Sequence, residues 1–493
     1  VRTTDSTSNT YEEALTISVN DIGVESATVT QSLWLLNTQA SYTLSSAVTL
    51  DLNTGIAQLH AGFFTANDIT GDTGNSLGTA IGDVNGDGHL DIYVANLGQN
   101  KLWINSGTGT FTAQDIIGDQ GDSFGISIAD VNGDGHLDIY VANVGAGTNG
   151  QNRLWINSDT GTFTARDITG DEGNSYGASI ADVNGDGHLD IYVANQGVQQ
   201  NKLWINDGTA TFIAQDITGD TGDSRGTSIG DVNGDGHLDI YVANSSGEQN
   251  KLWINSGTAT PTFTAQNILG DTGNSTKPSI ADINGDGHLD IYVSNFNGAQ
   301  NKLWINNGTG TFTAQDIPGD TGSSSGSSIG DVNGDGHLDI YVVNLQNRLW
   351  INSGTATPTF TAQDISGDTG SSYGTSIGDV NGDGYLDLYV ANSNGEQNKL
   401  WINGFSQSKP YISPTTAQSF TSSLTGFSEV RSANNQGSVT YQISIDNGAN
   451  WQYWNGTAWT VTTQTDGTET SSAILINTNI ATLATSGGNF LWR

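Results

Sequence analysis

The chain reads as an all-β protein: a seven-bladed β-propeller closed by an N-terminal strand, followed by a C-terminal β-sandwich-like module. Three observations predict this. The phrase DVNGDGHLDIYVAN starts at Asp83 and returns nearly unchanged at Asp130, Asp182, Asp231, Asp282 and Asp331, with the variant DVNGDGYLDLYVAN at Asp379. The starts lie 47 to 52 residues apart, a period in the range of propeller blades. With 65 glycines and only 13% charged residues in 493, the composition is that of a turn-rich β protein.

Each unit contains four strand-like segments. In the first, GTAIGDV leads into an acidic loop, LDIYVAN follows it, NKLWIN is third and FTAQDI fourth. Leu90, Ile92 and Val94 alternate with Tyr93 and Ala95, so both faces of the second strand are apolar, as stacked sheets require. NSGTGTF is a Gly- and Ser-rich hairpin between the third and fourth strands, and GDTGNS is the turn into the next unit. No segment shows a helical period. The seventh unit stops after KLWIN (Lys399 to Asn403), while an unattached fourth strand, FFTANDI (Phe63 to Ile69), precedes the first. The N-terminal strand is therefore expected to complete the last blade, leaving no open edge.

The expected domains are residues 1–20, the end of a β-sandwich; 21–58, a β-rich connector; 59–404, the propeller; and 405–493, a small accessory β-sandwich with an Asn447-Gly448 turn and three tryptophans, Trp451, Trp454 and Trp459. The last could bind glycan, although core packing is the simpler role. The chain lacks Met at position 1 and is expected to be a piece of something longer.

Fourteen basic residues against 51 acidic ones leave a formal charge of −37. Nucleic acid, which needs clustered Lys and Arg, is excluded as a partner, and so is an anionic membrane surface. No apolar run is long enough to span a bilayer. Cysteine is absent, so disulfide and thiol chemistry are excluded.

The acidic loop reads D-x-N-x-D-G-x-x-D. Side-chain oxygens fall at positions 1, 3, 5 and 9, and Gly at position 6 turns the backbone so that the carbonyl of position 7 faces inward. Hard oxygen donors at alternate positions around a glycine turn suit Ca²⁺. The candidate ligands are Asp83, Asn85, Asp87, His89 (carbonyl) and Asp91 in the first loop; Asp130, Asn132, Asp134, His136 and Asp138 in the second; and Asp182, Asn184, Asp186, His188 and Asp190 in the third. The fourth offers Asp231, Asn233, Asp235, His237 and Asp239, and the fifth Asp282, Asn284, Asp286, His288 and Asp290. The sixth offers Asp331, Asn333, Asp335, His337 and Asp339, and the seventh Asp379, Asn381, Asp383, Tyr385 and Asp387. About seven ions are expected, one per blade, with dissociation constants on the order of 10⁻⁴ M, as in extracellular modules. The loop is similar to the first nine positions of an EF-hand loop but has Val94 at position 12 and strands on either side. It is therefore a loop of the propeller kind. The competing reading is an Asp/Asn-rich turn without metal.

These units resemble FG-GAP or VCBS-type repeats, whose seven-bladed propellers include the integrin α head. The resemblance covers Phe63 to Asn403, and the second unit carries a literal Phe124-Gly125. Other units place Leu77, Tyr176, Arg225, Ser325 or Tyr373 where that Phe stands, and the fifth reads Lys277-Pro278 instead, predicting a locally irregular strand. The resemblance implies calcium loops on one face of the disc and no particular activity. VRTTDSTSNTYEEALTISVND at the start is similar to the closing strands of a cadherin-like sandwich, a module of large bacterial surface proteins.

Three recurring residues remain. The loop histidines are expected to face solvent, and His60 alone stands outside the pattern. The seven LWIN tryptophans, Trp103, Trp155, Trp204, Trp253, Trp304, Trp350 and Trp401, are expected to pack between blades rather than to stack on sugars. The GDTG aspartates, such as Asp119 and Asp171, read as Asx-turn residues. Calcium loops and GDTG turns fall on opposite faces, and the second-to-third loops, where units differ most, share the GDTG face. A protein or glycan partner belongs there. The function expected is a calcium-stabilised, extracellular adhesion or assembly module that is not an enzyme, with a multivalent lectin as the alternative. Catalysis needs a unique convergence of groups, and nearly every polar residue here recurs sevenfold.

Overall fold

The computed structural model describes residues 63–404 except 146–149, 159–160 and 198, and residues 440–492 except 463–468 and 484–487. Outside these it describes only the strands Tyr42–Leu44, Val48–Asp51, Ile56–Leu59, Ile412–Pro414 and Gln418–Phe420. The cadherin-like segment, 1–20, and His60 lie outside the described residues.

The repeats fold into seven four-stranded antiparallel arrays, six of them in sequence order, and pairing of Leu97–Gln99 with Gln120–Asp122 joins the first two into one sheet. The first comprises Ser76–Gly82, Asp91–Gln99, Lys101–Asn105 and Phe111–Ala113. The seventh comprises Ser372–Gly378, Asp387–Asn392 and Lys399–Gly404, and its outer strand is Phe63–Ala66. The Asn67 amide donates to the Leu400 carbonyl at 2.8 Å, and Lys399 pairs with Asp68 at 2.7 Å. The first strands of successive blades touch, and the seventh touches the first, so the ring is closed.

Second strands are buried on both faces; Ile191, Tyr192, Val193 and Ala194 are all 0% exposed. The core is consequently not one volume but a set of wedges between blades. One joins Tyr140 and Leu154 to Ile191, Val193 and Trp204 of the next blade. Another joins Tyr389 and Leu400 to Ile92, Val94 and Trp103 across the closure. Each large side chain so buried contributes roughly 1.5–3 kcal/mol.

The innermost strands meet through glycine. A Cβ on Gly177 would stand 2.9 Å from the Gly226 Cα and 3.0 Å from the Arg225 carbonyl oxygen. Gly125 faces the Gly177 Cα, and Gly374 the Gly78 Cα, at the same 2.9 Å. Backbone crowded against backbone has nowhere to move, so Gly177→Val is expected to cost about 3 kcal/mol, the upper part of the overpacking range. Urea denaturation measures it, and an unchanged midpoint would show that the girdle tolerates side chains.

The fifth blade breaks this girdle, and its register corrects the sequence alignment. Pro278 pairs with Val293 as Thr79 pairs with Val94, so Thr276-Lys277, not Lys277-Pro278, occupies the Phe-Gly positions. Two residues bulge between the pairs at Ser275 and Pro278, where the first blade bulges one. The irregularity expected there is present, beside a proline that has no N–H to donate.

After the ring come the described residues of the C-terminal segment. They form one five-stranded sheet, ordered Gln418–Phe420, Gly488–Trp492, Ile443–Ser444, Trp451–Trp454 and Trp459–Thr462, and a helix, Ala473–Asn479. Ser472 caps that helix by accepting the Leu475 amide, and Ala473, Ile476 and Ile480 are its buried residues. Two turns are too short for their spacing to register as a helical period. Trp454 and Trp459 pack edge to face with centroids 5.6 Å apart.

Candidate metal loops and the two faces of the ring

Each acidic loop turns on two glycines with left-handed backbone, Gly86 (φ 72°) and Gly88 (φ 88°) in the first, a conformation glycine adopts without a Cβ penalty. Asp83 Oδ1 accepts the Gly86 and Asp87 amides at 2.8 and 3.1 Å, and its Oδ2 accepts the Gly88 amide at 2.8 Å. Asn85 Oδ1 accepts the Asp87 amide at 3.0 Å, its Nδ2 donates to Asp87 Oδ2 at 2.9 Å, and Asp87 Oδ1 accepts the His89 amide. These three oxygen-bearing side chains therefore curl into a single exposed turn. The pattern repeats around Asp130, Asp182, Asp231, Asp282 and Asp379.

Asp91 at position 9 differs. It is 1% exposed, and its two oxygens accept the Val84 amide at 3.0 Å and the Asn105 amide at 2.8 Å. Burial, aided by the nearby Asp87 and Asp83 charges, pushes it up to about 6. Asp138, Asp190, Asp239 and Asp290 are raised likewise, and Asp387 to about 7. Among the described residues, no three acidic or histidine side chains already converge as a metal cluster. The donor set nonetheless fits a hard cation: every donor is oxygen, and the Asp87 and Asp83 charges add to the rise of Asp91, a penalty a cation removes.

The loop is tied to its neighbour. Asn105 Nδ2 donates to the Val380 carbonyl at 2.6 Å, and Asn157 Nδ2 to the Val84 carbonyl at 2.6 Å. Asn206, Asn255, Asn306, Asn352 and Asn403 do the same to Val131, Val183, Val232, Ile283 and Val332. The last residue of LWIN thus grips position 2 of the preceding blade's loop, a role the sequence did not reveal. The loop histidine also belongs to this face: His89 is exposed, as expected, but its ring lies where a Cβ on Gly107 of the third-to-fourth hairpin would be.

On the opposite face the GDTG aspartates do more than turn. Asp171 is 1% exposed and accepts Tyr140 Oη at 2.5 Å, Asn152 Nδ2 at 2.9 Å and Trp204 Nε1 at 3.0 Å. Tyr140 and Asn152 come from one blade and Trp204 from the next, so the carboxylate staples the interface. Asp119 does the same for Tyr93, Asn100 and Trp155, and Asp72 for Tyr389, Asn398 and Trp103 across the closure. Trp103, Trp155, Trp204, Trp253, Trp304, Trp350 and Trp401 are 4–5% exposed, as the packing reading required. The signal for the staple was present: a buried Tyr and a buried Trp each need an acceptor, and one acidic residue recurs at matching period.

Burial, outweighing these hydrogen bonds, raises Asp72, Asp119, Asp171, Asp220, Asp271, Asp320 and Asp368 above the ordinary 3.8. A raised carboxyl adds stability that is complete below 3.8 and is lost as pH rises through the folded value. With Asp91, Asp138, Asp190, Asp239 and Asp290 also raised to about 6 and Asp387 to about 7, the melting temperature in metal-free buffer is expected to rise between pH ~7 and pH ~5. Calorimetry reads this directly, and a flat or falling profile would contradict the assignment.

The FG-GAP-like repeat model matches residues 83–141, 143–193, 182–242, 231–293, 289–342 and 344–390. No curated protein matches the chain in sequence. Among solved structures, a lectin of Agrocybe aegerita that specifically recognises non-reducing terminal N-acetylglucosamine is similar at 23% identity, over 59% of this chain and 81% of its own, with a TM-score of 0.44. BBS1N in complex with ARL6DN is similar in two soaks. The lead soak matches at 11% identity and TM-score 0.45, the mercury soak at 12% and 0.47, each over 70% of this chain and 97% of the other.

Proposed function

Because the chain belongs to the FG-GAP-like repeat family, we propose that it is a calcium-stabilised, non-catalytic binding module of a secreted or cell-surface protein. Its calcium would sit in the acidic loops, and its protein or glycan partner on the opposite, variable face. The observation that carries this reading is the sevenfold recurrence of an all-oxygen loop whose backbone is tied by a buried asparagine to the next blade. Asp83, Asn85 and Asp87 would hold the ion on the exposed turn, with the His89 carbonyl and Asp91 completing the set. An ion bound there would neutralise crowded carboxylates in a chain of charge −37 and would stiffen an element that two blades share. Weak sites of this kind fill at extracellular rather than cytosolic calcium.

The variable face supports the partner half of the proposal. Its second-to-third loops run from Leu345-Gln346-Asn347 to the longer Val144 through Asn152, while the opposite face repeats itself. Among the described residues no helix is long and apolar enough to cross a membrane.

Calcium titration by calorimetry tests the proposal. About seven weak sites are expected, falling by one in Asp87→Ala, which removes an exposed loop carboxylate and leaves the buried Asp91 in place. A chain that takes up no calcium at millimolar concentration would falsify the reading.

A further inference from the structure

The variable face opens into a funnel of about 390 Å³ on the ring axis, lined by residues in or just before the first strand of all seven blades, together with Leu97 and Phe296. Its lining breaks the repeat. Sequence that is nearly invariant in the loops and second strands differs, at the residue before the girdle glycine, in almost every blade. The differences are also sorted by position. At that position blades seven, one, two and three present Tyr373, Leu77, Phe124 and Tyr176 in succession, blade four Arg225, blade five Thr276 and blade six Ser325, while Lys277 stands on the glycine position of blade five. One arc is aromatic and apolar; the adjoining blades four and five add Arg225 and Lys277, with Phe296 also in the lining.

Both cations are built in rather than incidental. Arg225 stacks over Tyr176, its Cζ 5.6 Å from the ring centroid, and Phe124 packs on the same ring with centroids 4.4 Å apart. Arg225 Nε is buried with no hydrogen-bond partner among the described residues. The acid nearest in influence, Asp223, is occupied by the Ser245 and Ser246 hydroxyls and the Gly197 amide. Lys277 replaces the glycine of the other blades, and burial pushes its ammonium below the ordinary 10.5. The funnel lining contains no Asp or Glu. Elsewhere in the ring, basic side chains such as Lys101, Lys202 and Lys302 pair with Asp115, Asp216 and Asp316. In a chain with 51 acidic and 14 basic residues, two basic side chains in an aromatic pocket whose lining holds no acid mark a place for an anion that arrives from outside.

We propose that the axial funnel binds a carboxylate carried on a six-membered ring, with the acid group at Arg225 and Lys277 and the ring face on Phe124 and Tyr176. Guanidinium and ammonium groups recognise carboxylate, and aromatic faces accept either an aromatic ring or the C–H face of a sugar. The volume lies within the range of small-molecule pockets. A terminal uronic acid and a free aromatic acid share this chemistry. The site uses the proposed partner face but none of the calcium loops, so either reading survives the failure of the other.

The test is titration of the whole chain with glucuronate and 4-hydroxybenzoate, and with their neutral analogues glucose and 4-hydroxybenzyl alcohol, in EDTA and again in calcium. At least one acid is expected to bind about tenfold or more tighter than its neutral analogue, and which one identifies the source. Arg225→Gln and Lys277→Gln, each checked for an unchanged melting temperature, are each expected to weaken that acid about tenfold; Tyr176→Ala serves if either fails to fold. Equal binding of acid and neutral analogue, binding unchanged in the variants, or no binding of either acid at ~10 mM overturns the proposal whether or not calcium binds.

Discussion

Calcium at about ten times the dissociation constant of the loops is expected to raise the unfolding free energy by about 1.4 kcal/mol for each filled loop. With seven loops and a ring that unfolds as a unit, the total is about 10 kcal/mol. A propeller spanning Phe64 to Asn403 has an unfolding entropy that converts this into a rise in melting temperature on the order of 15 °C. Differential scanning calorimetry in EDTA and after calcium is returned measures it. Mg²⁺ should substitute poorly, because it prefers few protein ligands and retained waters. A melting temperature indifferent to chelation would leave the acidic turns as hydrogen-bonded loops and nothing more. The asparagine ties explain why the effect should be global: an ion that stiffens the Val84 turn also fixes the acceptor of Asn157 in the next blade.

Asp171→Ala is expected to destabilise the ring by about 3–5 kcal/mol, the range for stripping one partner from a buried charged network. The change strands three donors, Tyr140 Oη, Asn152 Nδ2 and Trp204 Nε1, in a place water does not reach. Asp171→Asn keeps the volume and one acceptor oxygen and should cost less, about 1–3 kcal/mol. The effect should be independent of calcium, because the staple and the acidic loops occupy opposite faces. Equal stability of Asp171→Ala and the parent in EDTA would remove the staple as a source of cohesion between blades.

Much of this was legible in the sequence, for physical reasons. Period, alternation and the unattached FFTANDI strand located the blades, because a strand buried on two faces writes a continuous apolar run such as Ile92-Tyr93-Val94-Ala95. Relations between blades were less legible. That Asp171 bridges Tyr140 to Trp204, or that Asn157 reaches Val84, depends on the rotation between neighbouring sheets, which no single repeat encodes. The fifth blade was misaligned by one residue, although Lys277 lies five residues before Asp282 as Gly78 does before Asp83, and the pairing of Pro278 with Val293 fixes the register. The helix Ala473–Asn479 escaped because its packing against the sheet, not its propensity, makes it helical.

The closing strand has a kinetic consequence. Asp68 meets Lys399 across 331 positions of chain, so the last blade is completed only when the two ends of the repeat array come together. Closing so long a loop delays the contact far more than it weakens it, since the entropic cost grows only logarithmically with length. Until then Lys399–Gly404 is a bare edge that any other copy's Phe63–Ala66 can fill. Refolding at high concentration should therefore yield strand-exchanged oligomers, whereas dilution favours closure within one molecule.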